Sequence, residues 1–401
     1  MRILVITQYF WPENFRINDV CKGLKERGHE VVVLTGKPNY PQGKYFKGYS
    51  WFTKNIEIWD GITIYRSNLI LRGKGKGIRL VLNYFSFSFF STLNLFFLKH
   101  KFDKILIFAP SPILVGLPGI VASKLFNAKS FLWVHDLWPE SIKVAGGIQN
   151  KFIIKLFDRI TRYIYSNINI ILIQSNGFLP YLKNQGVNKN KIIYYPFYAE
   201  TFYKIQDAKL EFINKLPIGF KLMFAGNLGE GQSFPTLLMA AKYLKEKGLQ
   251  IHWIIFGDGR MKNLIMDEIK KYNLVENFIL MGSFPPEEMP NYFSCADALV
   301  VSLKKSYIFS ITIPGKLQSY LACGKPIIGS LDGVGAEIID NARAGFTGKA
   351  ESVDDLVVAV ERLYKTPIEL RKNMGENARH YFENEFEREM LLSKLDLILA
   401  N

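Results

Sequence analysis

Lys316 is where the amino-acid sequence most directly offers chemistry. It sits in the stretch IPGKLQSYLACGKPIIGSL, residues 313 to 331, which reads as a loop entering a short helix, a tight turn at Gly324-Lys325-Pro326 and a buried strand. Pro314 suits a first helical position, where its missing N–H costs nothing. The free N–H groups and the dipole at such a helix start favour an anion, and a lysine within the first turn adds a charge, which makes a phosphate seat without a metal. A solvated lysine on an ordinary helix has the same spacing, so the rest of the chain must decide.

Two glycine-rich strand ends weigh in. Gly226-Asn227-Leu228-Gly229 follows the apolar run KLMFA, with Gln232 shortly beyond, and Gly257-Asp258-Gly259 follows IHWIIF. Either is compatible with a simple tight turn, because Gly and Asn favour such positions for backbone reasons. Two in succession together with the Lys316 helix suggest a nucleotide cradle. No Asp-x-Asp pair occurs, so a metal-bridged diphosphate is not indicated, and the first strand lacks G-x-G-x-x-G, which argues against a dinucleotide-dependent dehydrogenase. In the first half, the loop HDLWPES after KSFLWV holds Asp136 and Glu140, carboxylates able to take a hydroxyl proton or bind a sugar hydroxyl. His135 beside them is either a histidine satisfied at a strand end or a catalytic group.

These residues need elements to hold them, and the sequence supplies an alternation of strands and helices. The first run, Arg2 to Phe10, is followed by the loop WPENFR and a helix; HEVVVLT, KILIFA, KSFLWV, NIILIQ and KIIYYPF are further buried strands. Near-continuous apolar strands separated by helices mark a parallel sheet covered on both faces. The stretch from Tyr198 to Gly219 is polar and irregular, and the alternation restarts with KLMFAGN, IHWIIFGDG, NFILMGS, ALVVSL and PIIGSL. The expected fold is α/β with two Rossmann-like domains, residues 1–198 and 199–380, and both should contribute loops to one cleft, since ligands bind beyond the carboxyl ends of such strands. The apolar spacing in residues 381–401 predicts a last helix.

A chain of 401 residues can bury cores for two domains. Its three cysteines, in apolar settings, read as reduced thiols, and MRILVITQYFW reads as a first strand rather than a signal peptide, so the expected location is cytoplasmic. The formal net charge of +15 calls for an anionic partner. No helix-turn-helix, zinc-finger spacing or aromatic RNA-binding signature is present, which disfavours nucleic acid. The basic loop LRGKGKGIR, residues 71 to 79, runs into the uncharged stretch LVLNYFSFSFFSTLNLFFL. Residues 71–99 thus read either as a helix lying on an anionic membrane surface or as a buried core helix; their length barely reaches a span, and the Ser and Asn content weakens that option.

Taken together, GNLGEGQ, FGDG, ADALVVSL, IPGKL and YLACGKPII resemble the family 4 retaining glycosyltransferases of the GT-B fold, over essentially the whole chain. The resemblance implies that the last helix, in residues 381–401, crosses back to the first domain. TGKPNYPQGKYFKGY and HDLWPES resemble the bacterial O-antigen, capsule and colanic-acid branch, which includes WbuB-like N-acetyl-L-fucosaminyltransferases. Against most of that family, Ile311 and Ser319 stand where two glutamates are usual, and Asn227 and Gln232 replace the usual Arg and Lys phosphate binders. The resemblance implies that Lys316 neutralises the donor diphosphate and that Arg16, with Asn14, approaches it. It also implies that His135 lies near the reacting centre; Asp332 and Glu337 are candidates for the ribose by position alone. The implied reaction moves a sugar, such as N-acetyl-L-fucosamine, from a UDP-sugar donor to a polyprenyl-diphosphate-linked glycan acceptor with retention. It needs no cofactor or metal and takes place at the inner face of the plasma membrane. A UDP-sugar 2-epimerase of the same fold and a non-catalytic sugar-binding protein are the alternatives.

Overall fold

The computed structural model describes residues 1–73, 75, 77–141 and 150–401. Lys74 and Lys76 of the basic loop lie outside the described residues. Two compact units emerge. The first comprises Met1–Gln174, Phe178–Tyr195 and Leu392–Asn401, and the second Ser175–Gly177 and Pro196–Leu391.

The first unit is built on an eight-stranded sheet in the order β3-β4-β2-β1-β5-β6-β7-β8. Strands β1 (Arg2–Thr7), β2 (Glu30–Gly36), β5 (Lys104–Ala109) and β6 (Lys129–Val134) form its centre, and all run parallel. Their side chains are buried almost without interruption, as the unbroken runs ILVI, VVVL and ILIF require when helices cover both faces. β7 (Ile170–Ile173) and β8 (Ile192–Tyr194) extend it on one side. On the other side stand β4 (Ile62–Ser67) and β3 (Ile56–Trp59), an antiparallel hairpin absent from the expected strands. Its turn is Asp60-Gly61, both at positive φ, which suits the twist of a tight hairpin.

The helix over the membrane-or-core stretch, α2, covers Gly77–Leu95. It is both. One face buries Leu80, Tyr84, Phe87 and Leu95 together with Asn83, whose amide donates to Ile70 O, and Ser88 and Ser91, whose hydroxyls donate to Leu114 O and to carbonyls within the helix. The other leaves Ile78, Leu82, Phe89 and Leu93 exposed. No helix among the described residues is long and apolar enough to cross a membrane.

The second unit carries a six-stranded sheet, all parallel, in the order β11-β10-β9-β12-β13-β14. Here β9 is Phe220–Ala225, β10 Ile251–Phe256, β11 Phe278–Gly282, β12 Ala298–Ser302, β13 Ile327–Ser330 and β14 Gly345–Gly348. The short edge strand β14, with only Phe346 as a bulky residue, escaped the sequence reading. One continuous core of Leu222, Phe224, Leu237, Trp253, Val300 and Leu356, among others, lies under the sheet.

The end of the chain differs from the single helix expected. Helix α14 runs from Ile368 to Glu385 and α15 from Arg388 to Ala400, with the break at buried Phe386. Residues Leu392–Asn401 group with the first unit, where Leu392 lies on Gly23 of α1 (Arg16–Glu26) and Asp396 pairs with His29. The expected fold thus keeps its returning helix, but only α15 makes the return.

Candidate functional site

In the second unit the two glycine-rich strand ends are joined by backbone. Gly226 N donates to Phe256 O (3.0 Å), Leu228 N to Asp258 O (2.9 Å) and Met261 N to Leu228 O (2.9 Å). Gly226 and Gly257 take φ of 145° and 137°, a region that L side chains rarely occupy. A Cβ on Gly257 would lie 1.9 Å from Gly226 O, so the close approach of the two loops requires glycine there.

Helix α11, Gly315–Ala322, brings Lys316 to this pair of loops; Pro314 is its N-cap, one position earlier than the sequence suggested. The Lys316 ammonium donates to Gln232 Oε1 and lies 3.6 Å from the centroid of the Phe224 ring. It also sits against Gly226, where an added Cβ would come within 3.3 Å of Nζ. Among the described residues no carboxylate pairs with it. Burial in this setting holds its pKa well below 10.5, although part of the side chain stays open to solvent. A lysine whose ammonium has a neutral amide and a ring face as partners can take an anion as its counter-charge. Asn227 is exposed beside it. Gly226 and Gly257 also line a cavity of about 190 Å³ walled by Tyr203, Phe256, Phe284 and Met289, with the flat, apolar character that suits a base.

The remaining second-unit candidates are employed differently. Asp258 is exposed and accepts from its neighbour Gly259 N (2.7 Å) and from Lys262 (3.1 Å), bonds that hold its carboxyl below the usual range. Asp332 Oδ1 accepts from Ala350 N at 3.0 Å and lines a separate cavity with Asp340, Phe346 and Arg362. Glu337 is exposed on α12 (Val334–Asn341). No hydrogen bond or ion pair among the described residues ties Asp332 or Glu337 to Lys316 or Gln232.

The first unit has its own cluster at the carboxyl ends of β1, β2 and β6. His135 lies between the rings of Phe108 (4.5 Å) and Trp133 (4.6 Å). Burial, and secondly the charge of Arg16 at the start of α1, keep its pKa well below 6.5, so it is a neutral imidazole at physiological pH. Asp136 is pushed up to about 7 by burial, and its charge is felt by the buried phenol of Tyr84. A carboxyl with that pKa exchanges protons near neutrality, as a general base requires. Glu140, four residues on, acts on Tyr181 instead, whose hydroxyl donates to Trp138 O at 2.8 Å. The structure therefore brings the charge of Arg16 to His135, next to Asp136, and the charge of Glu140 to Tyr181.

Three further residues position the loops of this unit, Glu13 and Lys37 with no role expected from the sequence and Arg72 from the basic loop. Glu13 is buried, its carboxyl raised to about 7 by burial, and it accepts from Asn39 N (2.8 Å), Tyr40 N (2.7 Å) and Phe10 N (3.3 Å), which ties the β1 loop to the β2 loop. Lys37 has no exposed surface. Arg72 of the basic loop is half-buried, lies 4.7 Å from the Tyr40 ring and donates to Tyr9 Oη at 3.2 Å.

Comparison with known proteins completes the description. Residues 14–197 match the glycosyl transferase 4-like domain and residues 208–381 the glycosyl transferases group 1 model. The chain is a group 1 glycosyltransferase. It is 25% identical, over 81% of its length and 82% of the relative, to the putative colanic acid biosynthesis glycosyl transferase WcaI of Escherichia coli. It is 28% identical over 48% of its length to chitobiosyldiphosphodolichol beta-mannosyltransferase of Debaryomyces hansenii, spanning 39% of that protein. Among solved structures, sucrose-phosphate synthase from Thermosynechococcus elongatus superposes with a TM-score of 0.76 at 15% identity, covering 100% and 98% of the two chains. WaaG, a glycosyltransferase of lipopolysaccharide biosynthesis, gives 0.67 at 13% identity with both chains fully covered. The GT-B fold is thereby established, and neither the epimerase nor the non-catalytic alternative is favoured for this group 1 glycosyltransferase.

Proposed function

We propose that this glycosyltransferase moves a sugar from a UDP-sugar to a polyprenyl-diphosphate-linked saccharide, with retention, in capsule or O-antigen assembly on the inner face of the plasma membrane. The observation that carries the reading is the buried ammonium of Lys316 beside Gly226 and Gln232: a cation without a carboxylate partner, at the strand ends where a diphosphate binds in such sheets. The neighbouring cavity of about 190 Å³ suits the uracil base. Structures of HepE from Anabaena with UDP and UDP-glucose share the fold, which supports a UDP donor. The colanic-acid relative and the dolichyl-diphosphate enzyme support a lipid-linked acceptor, and the exposed apolar face of α2 supports work at a membrane. An N-acetylated deoxyhexose such as N-acetyl-L-fucosamine is the donor sugar this reading favours, from the branch its motifs resemble.

Charge that grows on the leaving diphosphate meets Lys316, so the transition state is stabilised more than the ground state. Asp136 and neutral His135 serve the acceptor side, Asp136 by accepting a hydroxyl hydrogen. The test is incubation with a panel of UDP-sugars and a short-chain polyprenyl-diphosphate saccharide, followed by UDP release, product mass and anomeric configuration. Glycosylated lipid with the donor's configuration is expected for at least one UDP-sugar. UDP release without a glycosylated lipid across the panel, or an inverted product, refutes the reading.

A further inference from the structure

The turn Ser50–Thr53, between β2 and β3 in the first unit, presents its apolar side chains to solvent. Phe52 is 93% exposed and its neighbour Trp51 is 38% exposed. A flexible loop would fold such residues away. This one is held. Lys37 follows directly on β2, and its ammonium donates to three carbonyls of the turn: Ser50 O at 2.7 Å, Trp51 O at 2.8 Å and Thr53 O at 3.0 Å. An ammonium has three N–H donors and no acceptor, so this single turn fills it completely. The turn is closed further by Thr53 Oγ1, which donates to Ser50 O (2.8 Å) and accepts from Ser50 N (3.1 Å).

The tip is not isolated. Trp51 meets Phe90 of α2 edge-on at 5.5 Å, and Phe90 meets Phe89 at 5.4 Å. The exposed aromatic surface therefore runs from the turn through Phe90 to Phe89 on the open face of α2, where Phe89 is 60% exposed. Contiguous apolar surface of this kind marks an interaction site. The segment from residue 43 to 55 adds exposed Lys44, Lys47 and Lys54 and contains no carboxylate. Aromatic tips rimmed by lysines match the chemistry of an anionic bilayer surface, with rings at the head-group level and ammonium groups on the phosphates.

We propose that Ser50–Thr53 is a membrane anchor: Trp51 and Phe52 insert into the interface of an anionic bilayer, held outward by the three bonds from Lys37. The inference rests on the membrane-associated reading above and names a contact outside the basic loop on which that reading began. Removing a phenylalanine from an apolar setting weakens partition by roughly tenfold or more.

The experiment is flotation of the full chain with vesicles of phosphatidylglycerol and phosphatidylethanolamine, with phosphatidylcholine vesicles in parallel. Wild type is expected to float with the anionic vesicles. Phe52→Ser is expected to lower its partition about tenfold, with an unchanged melting temperature and unchanged UDP binding, and Phe52→Leu to recover most of it. Replacing Lys44, Lys47 and Lys54 with glutamine is expected to abolish the preference for anionic lipid. Lys37→Met is expected to reproduce the loss with Phe52 in place. If wild type does not float at all, both the membrane reading and the anchor fall. If wild type floats and Phe52→Ser floats equally well, the anchor alone is overturned and the contact belongs to the face of α2.

Discussion

Replacing Lys316 by methionine separates what the residue does for the fold from what it does for the reaction. The change keeps an unbranched side chain of similar length and removes the ammonium that lies over the Phe224 ring. In the donor-free protein that ammonium has an amide oxygen and a ring face as partners and a pKa held well below 10.5 by burial. Its removal should therefore stabilise, by about 1 kcal/mol as for other relieved functional sites, which raises the melting temperature by roughly 2 °C in a chain of this size. The sign follows from proton linkage. The folded lysine gives up its proton at lower pH than the unfolded one, so the unfolded chain holds more protons in the window between the depressed value and 10.5, and wild-type stability rises with pH across it. Lys316→Met should lose that slope. Turnover should move the other way. A preorganised charge on the leaving group is worth about 3 kcal/mol, or roughly a hundredfold, and it should appear mainly in kcat because the charge develops as the bond breaks. Scanning fluorimetry with and without UDP and a coupled UDP-release assay measure both sides. Turnover within threefold of wild type, or a variant that melts below wild type without donor, would refute the assignment.

Other expectations can be checked alongside. Gly257→Ala should destabilise the second unit by several kcal/mol or prevent folding, because its Cβ would meet Gly226 O at 1.9 Å and the backbone would have to leave φ 137°; denaturant unfolding measures it, and a change below about 1 kcal/mol would show that the two loops can separate. Asp136→Asn should remove a rise in rate centred near pH 7. It should also flatten a fall in stability between about pH 4 and 7, since the buried acid keeps its proton in the folded state after the unfolded chain has released it; a pH–rate profile identical to wild type would rule out a proton-transfer role. Leu395→Ala, at a fully buried position of α15, should cost about 3 kcal/mol and be read out by loss of structure in the first unit.

The parallel sheets were legible because their strands are apolar throughout, a pattern that only burial on both faces explains. The glycine pairs at 226 and 257 were legible because a turn followed by a helix leaves few other uses for two such motifs. What escaped was set by partners far away in sequence. Glu13 bonds to backbone of the loop after β2 and Lys37 to a turn 13 to 16 residues further along its own loop, and nothing in residue type distinguishes a lysine that cages three carbonyls from one in solvent. The hairpin of β3 and β4 was readable from Asp60-Gly61 between alternating apolar residues. β14, with the sequence GFTG, had no local signal, since its strand character comes from pairing with β13. In α2 the expected inside–outside rule is reversed in part, with Asn83 and Ser91 buried and Phe89 exposed, so periodicity alone gave two answers for one helix.

The return of Leu392–Asn401 to the first unit has a consequence for how the protein is made. When the ribosome has finished residue 195, the whole sheet of that unit has been synthesised, yet Gly23 and His29 still lack Leu392 and Asp396. At about 5–20 residues per second, some tens of seconds pass before those partners emerge. During that interval the surface of α1 that takes Leu392 is uncovered beside an already folded β1 and β2. A chain cut before Leu392 would therefore injure the half of the molecule made first, by leaving that surface of α1 open.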